Sequence, residues 1–215
     1  MKNKKTRKIF VAGNRSDYGY ANWLQSNGIV NDIHKADLVL GLGGSDISPH
    51  YYNQPDSGLL HCCPGIDKQE YEDYKRAIEL GKKIVGTCKG AQWAAVLAGG
   101  ALFQDIHHPY YHTVTTFDGR KMECNSLHHN MADLSKLKEG EDYRLLAWTE
   151  GLSPHHINGY RENVPCHKEP EVVFYPKINF LGFQNHNEMM FRRNKELDFI
   201  QWSRGLLNNL MESKL

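Results

Sequence analysis

The stretch Lys82-Lys83-Ile84-Val85-Gly86-Thr87-Cys88-Lys89-Gly90-Ala91-Gln92 constrains this chain more than any other. A short β-branched apolar run ends in Gly-Thr-Cys-Lys-Gly, and an Ala-rich run of helical character follows. That order predicts a strand, a sharp turn and a helix, with a thiol at the apex. Glycines two residues to either side of Cys88 leave room for the strained turn of a nucleophile elbow, here with sulfur in place of a serine oxygen. The helix N-terminus behind the turn favours an anion at the apex. Such a unit belongs in an α/β sheet and points to covalent catalysis.

The rest of the chain fits an alternation of strands and helices. Ile9–Ala12 reads as a first strand, Tyr20–Ser26 as a short helix and Gly28–Val30 as a brief second strand. Asp37–Gly41 is a buried strand that runs into the turn Gly43-Gly44-Ser45. Apolar or stem-bearing residues at Tyr71, Tyr74, Ala77, Ile78 and Leu80 predict an amphipathic helix over 69–81, closed by Gly81. A helix over 89–98 follows the elbow. Strand-like segments come near 112–117, 143–148, 171–175 and 178–184, before a closing amphipathic helix over 196–211. Pro154, Pro165 and Pro170 mark 151–170 as a long surface loop. The pattern predicts an α/β fold covered on both faces of its sheet, as a single domain over 1–215.

Composition narrows the function by exclusion. A formal net charge of +1 over 215 residues gives no global field for nucleic acid or a membrane surface. The basic leader over 1–8 is followed by too few apolar residues for a signal or a span, and reads as a solvated tail. Five cysteines, with no spaced CxxC pair, suit neither a disulfide framework nor a structural zinc site. A working thiol suits a reducing, cytoplasmic setting. No cofactor is expected.

A thiol nucleophile needs a base, and the base needs a group that orients it. Among twelve histidines, His186 in Gly182-Phe183-Gln184-Asn185-His186-Asn187-Glu188 stands at the end of the last strand-like run. Residues two apart on a strand share a face, so Glu188 is expected beside it. Cys88, His186 and Glu188 are the candidate triad. For the developing oxyanion, the Lys89 N–H is one donor, and Gly44 in the Gly-Gly turn offers the second.

Taken together, these motifs resemble the class I glutamine amidotransferase-like superfamily and, within it, the γ-glutamyl-γ-aminobutyrate hydrolase (peptidase C26) group. Gly43-Gly44-Ser45-Asp46-Ile47-Ser48-Pro49-His50-Tyr51-Tyr52, Gly99-Gly100-Ala101-Leu102-Phe103-Gln104-Asp105-Ile106 and Asn125-Ser126-Leu127-His128-His129 are similar to that group in kind and order. The resemblance implies a flavodoxin-like three-layer sandwich with a mostly parallel central sheet. It implies a Cys–His–Glu triad that hydrolyses a γ-glutamyl amide through a thioester, and places Gln92, Ser126, Leu127 and His128 around the glutamyl moiety. Three departures stand out. Lys89 replaces the usual arginine, Asn185 and Asn187 replace an aromatic residue and a proline, and the first helix and second strand look trimmed.

Three functions are weighed. The first is a stand-alone hydrolase that releases glutamate and an amine, or an amine-bearing metabolite such as a nucleotide-linked one. The second is a glutaminase subunit that supplies ammonia to a separate synthase. The third is a catalytically silent γ-glutamyl-binding protein. A homodimer is compatible with all of them. The doublets His107-His108, His128-His129 and His155-His156, with His112, do not by themselves establish the convergence a metal requires, so no metal site is expected. Some of these histidines are instead placed along the pocket, against the leaving group. Asp46 and Asp105 are read as turn-fixing residues.

Overall fold

The computed structural model describes residues 7–16, 19–153, 166–192 and 197–215. The start of the leader, the His155-His156 doublet, most of the loop over 151–170 and the first residue of the closing helix lie outside them. Among the described residues, the main sheet has nine strands. In chain order they are β1 (Arg7–Val11), β2 (Ser26–Ile29), β3 (Leu38–Gly41) and β4 (Lys83–Thr87), then β6 (Tyr111–Thr116), β7 (Lys121–Asn125), β9 (Arg144–Glu150), β10 (Lys168–Tyr175) and β11 (Phe180–Phe183). They lie in the order β2-β1-β3-β4-β11-β10-β9-β6-β7. Pairing is parallel from β2 through β11. Beyond β11 it continues as an antiparallel extension. A separate antiparallel pair is formed by β5 (Ala101–Gln104) and β8 (Asn130–Asp133).

Two apolar layers flank the sheet because strand residues alternate between its faces. Leu38, Leu40, Val85, Leu181 and Phe183 pack in one cluster with Trp23 of α1 (Tyr20–Leu24) and with Phe199, Trp202 and Leu206 of α4 (Leu197–Met211). The Trp23 indole N–H donates to Ser203 Oγ at 3.0 Å and pins α1 to α4. Val39, Ile84 and Phe180 face the other way. They pack with Tyr74 and Ala77 of α2 (Pro64–Glu79) and with Trp93 and Ala94 of α3 (Lys89–Leu97). This is the expected three-layer sandwich.

Several elements differ from the sequence reading. α2 begins five residues early because Pro64 occupies its first turn, where a missing N–H costs nothing. Gly81 closes it at φ +63, and the Gly81 and Lys82 amides return to Ile78 and Ala77. Strands β5, β7 and β8 form where no strand was read. The short α1 and β2 are both present, so the N-terminal part is compressed rather than missing a layer.

Candidate active site

At the carboxyl end of β4 the chain turns through Cys88 at φ +52, ψ −109, and enters α3. A non-glycine residue with positive φ is strained, and here the surroundings hold it. The Cys88 N–H donates to the Phe183 carbonyl at 2.8 Å, and the Cys88 carbonyl accepts from Ala91 and Gln92. Both flanking glycines are required by space. A Cβ on Gly86 would sit 2.3 Å from the Gly90 carbonyl carbon, and one on Gly90 would sit 2.6 Å from the Gly41 carbonyl oxygen. Helix α3 therefore lies directly on β3 and β4, and Cys88 has one position to occupy.

Lys89 has two separate parts to play. Its amide is one of the first in α3, where N–H groups lack partners within the helix. Its side chain turns away from the thiol and is fully buried under the elbow. There Nζ contacts Asp67 Oδ1 at 2.6 Å and Glu70 Oε2 at 2.9 Å. Glu70 also accepts the Trp93 indole N–H at 2.9 Å and meets Arg15 at 3.3 Å. Asp67 accepts from both the amide and the hydroxyl of Ser48. Two cations thus meet two carboxylates, and the network ties α2 to α3 and to the segment after the Gly-Gly turn. No sequence signal separated this buried lysine from a solvated one.

β11 lies beside β4 in parallel register, with Gly182 opposite Gly86 and Phe183 opposite Thr87. The chain leaving β11 carries His186 to the same end of the sheet. His186 and Glu188 do come together, but not by strand alternation: β11 ends at Phe183, and Glu188 lies in the first turn of a 3-10 segment, Asn187–Arg192. His186 Nδ1 is 2.6 Å from Glu188 Oε1. That leaves Nε2 for the thiol side, and the two residues meet over Gly43, where an added Cβ would lie 3.3 Å from His186 Nε2 and 3.4 Å from Cys88 Cβ. Burial works against a charged imidazole, but the contacts with Cys88 and Glu188 outweigh it and hold His186 up at about 10.

Two residues that the sequence did not single out for the site hold this arm. Asn125, at the end of β7, clamps the backbone of His186: Oδ1 accepts its N–H at 2.8 Å and Nδ2 donates to its carbonyl at 3.1 Å. Tyr20, buried in α1, accepts the Gly43 N–H at 3.4 Å, and burial, helped by the Glu188 carboxylate, holds its phenol protonated. Asn125 stood within a quoted motif, and Tyr20 had no signal beyond being an aromatic in a short helix. The two departures from the family pattern lie inside: Asn185 Nδ2 donates to Asn187 Oδ1 at 3.1 Å, with both side chains fully buried.

The Gly-Gly turn touches the site at both residues. A Cβ on Gly43 would lie 2.6 Å from His186 Cε1 and 3.4 Å from Cys88 Cβ, and one on Gly44 would meet Arg15 Nη1 at 2.9 Å. Around it, Gln92 Nε2 donates to the Asn130 carbonyl at 2.7 Å. His128 Nδ1 donates to the same carbonyl at 3.0 Å. Burial, reinforced by His108, pushes His128 well below the usual histidine range, so it is a neutral imidazole. Its Nε2, like Ser126 Oγ, is buried without a partner, whereas Leu127 is exposed. Asp46 joins this loop to the Gly-Gly segment by accepting from Asn130 Nδ2, His129 and the His61 amide. Asp105 itself takes positive φ, at +61.

Known proteins share part of this sequence and its fold. A family model described as peptidase C26 matches residues 24–134, 111 of the 215 residues. A Lactococcus lactis protein, YvdE, provisionally named glutamine amidotransferase-like, is 35% identical over 83 residues, 38% of this chain and 35% of that protein. The match therefore spans about a third of the relative's length. Among solved structures, a glutamine amidotransferase from Thermotoga maritima superposes with a TM-score of 0.58 at 12% identity, covering 97% of this chain and 96% of its own. A Thermoplasma acidophilum protein, provisionally described as one component of a GMP synthase, gives 0.57 at 15%, covering 96% and 93%. At such identities the likeness is one of fold.

Proposed function

The chain belongs to the peptidase C26 family, and from that premise we propose that it hydrolyses a γ-glutamyl amide through a γ-glutamyl thioester on Cys88. Family membership supports cysteine-dependent chemistry of the hydrolase or amidotransferase type; the γ-glutamyl amide and the thioester are what the resemblance to that family implies. The observation that carries the reading is the assembled group, with Cys88 at the elbow, His186 beside it over Gly43 and Glu188 2.6 Å from His186 Nδ1. The family match stops at residue 134, so the base arm stands on geometry alone.

In this mechanism the Cys88 sulfur attacks the γ-carbonyl and forms a C–S bond. The Lys89 amide and the Gly44 turn supply donors to the oxyanion. His186, protonated at neutral pH, gives its proton to the departing amine as the C–N bond breaks. It then takes a proton from water, which attacks the thioester and releases glutamate. Glu188 keeps the imidazole in the tautomer that presents Nε2 to sulfur. The bare Nε2 of His128 can accept from the α-ammonium of the glutamyl group, with Gln92, Ser126 and Leu127 around it.

Glutamate release from a panel of γ-glutamyl amides, with glutamine and nucleotide conjugates included, tests the reading. Turnover of at least one amide, lost in Cys88→Ala, is the expected result. Equal turnover by Cys88→Ala would overturn it. The names of the relatives favour a second reading, a glutaminase that passes ammonia to a separate synthase. Turnover confined to glutamine and raised by a copurifying synthase would select that reading. A folded protein whose Cys88 resists a glutamine-like diazo-ketone would select silent binding.

A further inference from the structure

Outside the triad, a second convergence of buried titratable side chains among the described residues lies in the antiparallel extension. His108 precedes β6 and His112 lies on it, Cys124 is on β7, and Glu169 and Glu171 are on β10. The side chains of His108, Glu169 and Glu171 are fully buried and that of His112 is nearly so. One donor atom each from His108, His112 and Glu171 lies within 4.8 Å of the others. His112 Nε2 is 2.8 Å from Glu171 Oε1, and His108 Nδ1 is 3.6 Å from that same oxygen. These separations bracket the roughly 3.3–3.4 Å between donors that each stand about 2.0–2.1 Å from a tetrahedral zinc ion.

A purely hydrogen-bonded network accounts for only part of this. His108 Nε2 lies 2.5 Å from Glu169 Oε2, which places the proton on that nitrogen and leaves Nδ1 bare. His108 Nδ1 and Glu171 Oε2 are then buried with no hydrogen-bond partner. Buried polar atoms are almost always paired, so two bare donors on neighbouring members of one cluster call for a common partner. A carboxylate behind a histidine, as Glu169 stands behind His108, is the outer arrangement that fixes the tautomer of a metal ligand. Cys124 Sγ is 3.5 Å from His112 Nε2, on the flank of the group.

We propose that His108, His112 and Glu171 form a site for a zinc-class divalent ion, with Glu169 orienting His108. Two imidazoles and one carboxylate suit zinc and its transition-metal neighbours, and not magnesium, which demands oxygen. In the sheet order β9 lies between β10 and β6, so the ion links two strands across a third. It would brace the extension whose β7 ends in Asn125, the clamp on His186. The inference does not rest on the identity of the substrate.

The test uses full-length Cys88→Ala protein, which removes the catalytic thiol as a competing ligand. After chelator treatment it is titrated with Zn²⁺ by calorimetry and with Co²⁺ by visible absorption. Expected are one Zn²⁺ per chain, a Co²⁺ d–d spectrum of low coordination number, a raised Tm and no response to Mg²⁺. His112→Ala and Glu171→Gln each weaken binding at least a hundredfold, and Glu169→Gln about tenfold. Because a buried variant can fail to fold, X-ray absorption on the Zn²⁺-loaded Cys88→Ala protein provides a second readout, expected to show two imidazoles and oxygen. No retained Zn²⁺, an all-sulfur shell, or unchanged stoichiometry in folded His112→Ala would overturn the proposal. So would a His108→Ala protein that keeps its metal while KM rises, since His108 would then be a substrate contact.

Discussion

The two arms of the candidate site are held by different forces. On the nucleophile arm, Gly86 and Gly90 let three backbones touch, and the buried Lys89 cation locks against Asp67 and Glu70, with the part-exposed Arg15 on Glu70. On the base arm, His186 and Glu188 leave the sheet and are positioned by a few polar contacts, from Asn125, Tyr20 and each other. The first arm is part of the folding core, while the second is fastened onto it. Damage to the first therefore reads out as stability, and damage to the second as rate.

The strongest way to break this contrast is Lys89→Met. Removing the lysine leaves Asp67 and Glu70 buried with one cation in reach, at a cost of about 4 kcal/mol in chemical denaturation. A loss below about 1 kcal/mol would mean that the elbow does not depend on its ions. Glu188→Gln should show mainly in rate, lowering kcat/KM on a responsive γ-glutamyl amide roughly a hundredfold to a thousandfold, with a smaller loss in chemical denaturation than Lys89→Met.

The same contrast has a pH form. His186 is held up at about 10 by Cys88 and Glu188 against its burial, with an ordinary value of 6.5 when unfolded. A raised histidine stabilises fully below 6.5, and that contribution is lost as pH climbs through 10. NMR titration of the His186 ring should therefore show a charged imidazole through neutral pH, with Cys88→Ala and Glu188→Gln each bringing the midpoint back toward 6.5. An unchanged midpoint in both would remove the triad as its cause. The smallest effect belongs to Tyr20→Phe, about a fivefold fall in kcat, since the ring still packs and only the hydroxyl that accepts the Gly43 N–H is lost.

What could be read in advance follows the same division. The elbow was legible because glycine spacing records backbone contact directly, and β-branched runs record buried strands. Cys88, His186 and Glu188 were legible as residue types, although Glu188 arrives by a 3-10 turn rather than by strand period. Strands β5, β7 and β8 were missed because they are short; β7 and β8 carry Asn, Asp, Glu or Lys among their apolar residues. Lys89 was readable as an amide but not as a buried ion, since its partners lie on α2, with Asp67 22 positions away. The histidine doublets hid their convergence for the same reason: His112 meets Glu171 across 59 positions, a pairing set by sheet order and by nothing local.

The backbone bond from Cys88 to Phe183 has a mechanical consequence. Cys88 and His186 follow adjacent parallel strands, and that bond rivets the two exits together at 2.8 Å. When the sheet flexes or twists, the two exits move as one body. The spacing between sulfur and imidazole is thus insulated from motions of the surrounding layers. The short span from Phe183 to His186, with the contacts of Asn125 and Glu188 on His186, sets it, and tuning of the candidate site has those few residues to work with.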